Sequence, residues 1–149
     1  MKIGRPKFHS GYQIAEGEDG LLPWEWADGR LAAAHNYWIA VNGPVAAPVW
    51  GLWIDDAFVF GTNPESAKAR GLARDPRIVV HLESGDEVVM LHGRVAPFEL
   101  DLAERAAAAY KDKYDIASEP GEGWYLLRAS HAHAWLESDY QRTATRFDF

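Results

Sequence analysis

The chain has 149 residues, 13% of them aromatic and 25% charged, with a net charge of −7 at pH 7. This composition excludes a disordered chain and disfavours nucleic acid or an anionic membrane as the main partner. Cysteine is absent, which excludes disulfide scaffolds, thiolate metal sites and cysteine nucleophiles. The length suits a single domain. No apolar run is long enough to span a membrane, and the opening Met1–Pro6 has no apolar core of a secretory signal, so a cytoplasmic protein is expected.

Residues 1–22 are polar and glycine-rich and read as an extended arm, with one domain over 23–149. Trp24, Ala27 and Leu31 recur at helical spacing, which predicts a short helix from Pro23 to Ala34. Strand texture follows in Tyr37–Val41, the turn pair Asn42-Gly43, Pro48–Ile54, the turn Asp55-Asp56 and Ala57–Thr62. These runs are almost continuously apolar, which predicts burial on both faces. Asn63-Pro64 opens a helix that Pro76 ends, with Ser66 at the third helical position. Ile78–Glu83 and Val88–Val95 form a hairpin around Ser84-Gly85-Asp86, and Glu99–Tyr114 is a helix with Leu102, Ala106, Ala109, Tyr110 and Lys113 on one face. Trp124–Leu136 is a long sixth strand, and the tail 143–149 is expected to add an edge strand. The fold class is α+β: an antiparallel barrel of six strands with two to three helices.

Four of the fifteen basic residues, Lys68, Arg70, Arg74 and Arg77, fall within ten positions just after a capped helix start. Free N–H groups and the helix dipole favour an anion there, and a ligand phosphate fits. The competing reading is a solvated helix whose bases are balanced by Glu65 and Asp75. His131-Ala-His133 points two imidazoles to one face of a strand, with Glu137 on the same parity as a conceivable third metal ligand; the bland reading is two half-exposed histidines, and no metal is assigned. His81 and His92 lie on neighbouring strands and invite the same two readings. No glycine-flanked serine, P-loop or dinucleotide fingerprint occurs, so the common hydrolase patterns find no support and no catalytic residue is assigned. Trp50 and Trp53 face opposite sides of their strand, one free to pack in the core while the other lines a cleft.

The order Tyr37–Ala40, Ala47–Trp53, Phe58–Thr62, Ser66-Ala67-Lys68-Ala69-Arg70-Gly71-Leu72, Asp75-Pro76-Arg77 and Glu87–Gly93 resembles the pyridoxamine 5′-phosphate oxidase-like superfamily, the flavin and deazaflavin split β-barrels. The resemblance runs from about Trp24 to the C-terminus and is nearer the deazaflavin branch than the true oxidases. It implies a homodimer with two cofactor sites at the subunit interface. Ala47, Pro48, Val49, Trp50, Gly61 and Thr62 would line the cofactor ring, and Ser66, Lys68 and Arg70 would hold its phosphate. The tail around Arg146 would reach the other subunit's site. The implied cofactor is coenzyme F-420, with FMN as the alternative, and the implied reaction is hydride transfer between the bound ring and a small organic substrate. A flavin- or haem-binding protein without turnover is the reading from another class. The chain departs from the family pattern in its short, base-free turn Asn42–Ala46, in Gly71 where Asn is usual, in Phe147 where Trp is usual, and in a strand Ala47–Ile54 without Arg or Lys.

Overall fold

A computed structural model describes residues 1–149. The elements in chain order are β1 (Lys2–Gly4), α1 (Trp24–Ala33), β2 (Tyr37–Val41), β3 (Val45–Val49), β4 (Leu52–Ile54), β5 (Ala57–Gly61), α2 (Ala67–Arg74), β6 (Arg77–His81), β7 (Glu87–Pro97), α3 (Ala103–Tyr114), β8 (Trp124–Leu136), α4 (Tyr140–Thr143) and β9 (Thr145–Asp148). Every ladder is antiparallel, and the sheet has nine strands, in the order β1-β9-β8-β7-β6-β2-β3, with β5 also on β8 and β4 on β5. No ladder joins β3 to β4, so the sheet does not close.

The six-strand expectation is corrected to nine, because one expected strand is split in two and the N- and C-terminal segments each add a strand. The run Pro48–Ile54 is interrupted at Gly51: a Cβ there would lie 2.5 Å from the Phe58 ring and 2.8 Å from the Val59 carbonyl oxygen, so the chain passes too close to β5 to stay in its ladder. The result is two strands, β3 and β4. The tail strand β9 lies between β8 and β1 instead of at the edge, because Lys2–Gly4 pairs outside it. The helix count is four, since Tyr140–Thr143 adds one turn.

Of the apolar runs from Tyr37 to Thr62, burial on both faces holds along the length of β5 alone. Phe58 and Phe60 enter the main core with Tyr37, Ile39, Leu91 and Phe147, while Ala57 and Val59 enter a second core with Phe98, Leu102, Ala106 and Leu126 under α3. β2 and β6 instead bury alternate residues, because their outer face is not covered. The predicted faces of α1 and α3 are observed: Ala27, Leu31 and Ala106 are fully buried. Arg5 fastens the N-terminal segment by donating to the carbonyls of Gly17, Asp19 and Ala144.

The C-terminal end of α3 holds the Gly51 crossing. The Gly51 N–H donates to Tyr114 Oη (3.0 Å), and the Tyr114 hydroxyl donates to the His35 carbonyl (2.7 Å). Lys113 Nζ donates to the Gly51 carbonyl (3.0 Å) and to Tyr37 Oη (2.9 Å), whose own hydroxyl donates to the Leu31 carbonyl (2.6 Å). The ammonium sits over the Tyr37 and Tyr114 rings, 4.6 and 5.2 Å from their centroids. Burial brings the Lys113 pKa down to about 8 and pushes the Tyr37 phenol above its ordinary value. Above pH 8 the folded chain sheds the Lys113 proton while the unfolded chain keeps it, so stability rises with pH through this window. Between pH 8 and about 9.5, below tyrosine ionisation in the unfolded chain, the urea midpoint of the wild type will climb relative to that of Lys113→Met. Parallel profiles would show that Lys113 titrates as an ordinary surface lysine.

Candidate functional site

Two loci concentrate chemistry, and the first is the start of α2. Here the structure moves the helix start. Asn63 does not cap α2: its side chain accepts from the Glu65 N–H (2.8 Å) and its carbonyl from the Ser66 N–H (2.9 Å), which makes a turn of Asn63–Ser66. Ser66 is therefore the N-cap, not the third helical residue. Its Oγ accepts from the Ala69 N–H (3.1 Å) and lies 3.2 Å from Thr62 Oγ1. No acidic residue occupies the first turn.

The two bases near this end, Lys68 and Arg70, are not neutralised. Asp75 is held by Arg77 through several hydrogen bonds, which bring its carboxyl down to about 2. Lys68, Arg70 and Arg74 take part in none of the molecule's ion pairs. Arg70 curls back along the helix and donates to the Glu65 carbonyl (2.6 Å), which sets its guanidinium beside the Ser66 cap. The balancing reading therefore holds for Asp75 with Arg77 alone, and the Glu65 carboxylate joins no ion pair. The Ser66 and Thr62 hydroxyls, the open N–H groups and the unpaired cations Lys68 and Arg70 together form an anion cradle at the start of α2.

The residues singled out for the ring scatter more widely. Ala47, Pro48 and Val49 lie on β3, which packs against α2. The chain touches closely there: a Cβ on Gly71 would lie 2.6 Å from the Asn42 carbonyl oxygen, so an Asn would not fit this helix position. Trp50 leaves the strand and stacks on Tyr114, with ring centroids 4.6 Å apart and planes 6° from parallel, one edge toward His35. Gly61 ends β5 against the Trp124 indole, and Thr62 joins Ser66. Arg146 is remote. It stands opposite His133 on β8, whereas Gly61 stands opposite Trp124, a separation along the strand of roughly 30 Å at the usual rise per residue. It is paired with Asp148 (2.7 Å).

The second locus was not assembled by sequence reasoning. A cleft of about 570 Å³ opens on the outer face of β6, β7 and β8, lined by Asn42, Asp75, Arg77, His92, Arg94 and His131, among others. Cross-strand register makes it, with Arg77 opposite Arg94 and His92 opposite His131. Only the strand parity of His131 and His133 pointed to it. His92, His131 and His133 bring their ligating nitrogens within 4.8 Å of one another. His92 and His131 stack at 4.5 Å, and His92 Nε2 is buried without a partner. Burial is the main force that lowers all three pKa values, His133 to about 4, and the neighbouring imidazoles and Arg146 add to it for His133. The rings are therefore neutral at pH 7. Glu137, the conceivable third ligand, instead accepts from Trp135 Nε1 (3.2 Å) in the turn after β8. His81 stacks on Trp38 and lies diagonal to His92.

No protein-family model matches the chain. A curated relative, the gamma-butyrobetaine dioxygenase of Pseudomonas sp. (strain AK-1), is 31% identical over 88 residues. That stretch covers 56% of this chain but 23% of the relative, so the chain spans less than a quarter of its length. Among solved structures, Rv2991 from Mycobacterium tuberculosis superposes with a TM-score of 0.67 at 18% identity, over 83% of this chain and 90% of that one. A heme binding protein from Mycobacterium smegmatis gives 0.60 at 20% identity (76% and 55%), and a nimc/nima family protein from Clostridium acetobutylicum gives 0.58 at 14% (76% and 85%). These likenesses establish a shared fold. No helix is long and apolar enough to cross a membrane.

The cap itself is testable. Ser66→Ala removes the acceptor for the Ala69 N–H and will lower stability by about 1 kcal/mol. Urea unfolding of the ligand-free protein measures this, and an unchanged midpoint would show that Ser66 does not cap α2.

Proposed function

We propose that the chain is a member of the pyridoxamine 5′-phosphate oxidase-like superfamily that binds a flavin-type cofactor through its phosphate at the start of α2. Coenzyme F-420 is the first choice and FMN the alternative, and the reaction is hydride transfer with a small organic substrate. The observation that carries this reading is the Ser66 cap flanked by two unpaired bases, Lys68 and Arg70, in a chain of net charge −7. It is supported by the fold shared with a heme binding protein and a nimc/nima family protein.

The residues present fit the phosphate end. The Ser66 hydroxyl and the first N–H groups of α2 offer donors, and Arg70 and Lys68 offer charge. Thr62 lies beside Ser66, and β3, which carries Ala47, packs against α2, where a ring system would extend. The bound ring supplies the hydride chemistry; the chain binds it, orients it and shields one face from water. Trp50 belongs to the ring wall only after leaving Tyr114. In this reading the protein acts in the cytoplasm as a homodimer whose tail meets the partner subunit's cofactor, and the roughly 30 Å between Arg146 and Gly61 along β8 supports such an arrangement. A second reading is a flavin- or haem-binding protein without turnover, favoured by the lack of a paired acid and base at the start of α2.

Titration with F-420, followed by its fluorescence, and with FMN, followed by flavin absorbance, tests the reading. Saturable quenching is expected, and Arg70→Ala will weaken binding by about 1.5–3 kcal/mol, as will Lys68→Ala. No binding of either cofactor at about tens of micromolar (a free energy near −6 kcal/mol) would overturn it. Binding without turnover across reductants would select the second reading.

A further inference from the structure

We propose that His92, His131 and His133 form a binding site for a divalent transition-metal ion such as Zn²⁺ on the outer face of β7 and β8. The three imidazoles come from adjacent strands in register, with their ligating nitrogens within 4.8 Å of one another. Imidazole suits Zn²⁺, Cu²⁺ and Ni²⁺, and three protein ligands leave a fourth position for water.

Three observations carry the assignment. His92 Nε2 is a buried nitrogen with no hydrogen-bond partner, a cost that native structures rarely leave unexplained. The tautomer of His131 is fixed by Ser130. The Ser130 hydroxyl donates its one proton to the His92 carbonyl (3.0 Å), so its oxygen must accept from His131 Nδ1–H (3.2 Å). That leaves the His131 Nε2 lone pair free, the arrangement that outer hydrogen bonds give to metal-binding histidines. Ser130 holds this place because of a bulge. The register slips between His92 and Gly93, where His92 pairs with His131 but Gly93 with Ala129, which leaves Ser130 unpaired in the ladder. Access exists from two sides, since the 570 Å³ cleft is lined by His92 and His131 and a second, about 540 Å³, by His133.

Binding requires a closing movement. Tetrahedral zinc with Zn–N bonds near 2.0–2.1 Å sets its nitrogens about 3.4 Å apart. The stacked rings of His92 and His131 lie in nearly parallel planes, so at least one must turn about its Cβ–Cγ bond for both lone pairs to meet one ion. Arg146 is the nearby cation, and its ion pair with Asp148 reduces its opposition to a metal.

The test uses the full-length protein after chelator treatment and dialysis, titrated with Co²⁺ as a spectroscopic probe and Zn²⁺ as competitor. One Co²⁺ per chain is expected, with the intense visible absorption of tetrahedral coordination, displaced by Zn²⁺. His92→Ala, His131→Ala and His133→Ala should each weaken Co²⁺ binding by more than about tenfold, Ser130→Ala should weaken it by about tenfold, and His81→Ala should leave it unchanged. A spectrum that stays that of the aquo ion would overturn the proposal, as would equal loss in His81→Ala. Should the cluster variants unfold, Cu²⁺ electron paramagnetic resonance of the wild type decides: splitting from several nitrogens supports the site, and its absence overturns it.

Discussion

β8 is hydrogen-bonded on one edge along its length by β7 and on the other by two strands in turn, β5 near its start and β9 near its end. This sharing is the constraint from which the remaining architecture follows. It places the doubly buried β5 between two cores, and it delivers the end of β5 directly to the turn that starts α2. It also sets Arg146 on β9 and Gly61 on β5 roughly 30 Å apart along β8, which is why a single chain does not bring both to one cofactor ring.

The close packing of β5 has a further consequence. Because Phe58 and Val59 leave no room beside Gly51, the chain must break its ladder there, and Tyr114 and Lys113 satisfy the groups that the break exposes. A lysine buried against two tyrosines is a costly way to hold a loop, and desolvation registers that cost in its lowered pKa. The same loop carries Trp50, whose ring lies on Tyr114. The proposed cofactor wall and this structural anchor would therefore compete for one side chain.

Much of this was legible in the sequence. The helical faces of α1 and α3 followed from residue spacing, since Ala27, Leu31 and Ala106 sit where periodicity puts them. The apolar runs also marked β2, β5 and β8 with nearly correct ends. The break at Gly51 was not legible, because its cause is Phe58, a residue that only folding brings close. The helix cap moved from Asn63 to Ser66 for a related reason: Asn-Pro satisfies both a helix start and a turn, and local preference does not choose between them. At the candidate site, the basic cluster was visible as composition, but that Arg77 takes Asp75 and leaves Lys68 and Arg70 unpaired was not. The histidine cluster needed cross-strand register and a bulge, neither of which leaves a local signal.

The central claim is that α2 presents a phosphate-binding end, in preference to the arginine-lined cleft on β6 and β7. Amide chemical shifts recorded while coenzyme F-420 is titrated into the labelled protein distinguish the two. The account predicts that the largest perturbations fall on Ala67, Lys68 and Ala69, with Thr62 and Ala47 following. Perturbations centred on Asn42, Arg77 and Arg94, with the start of α2 unmoved, would contradict it.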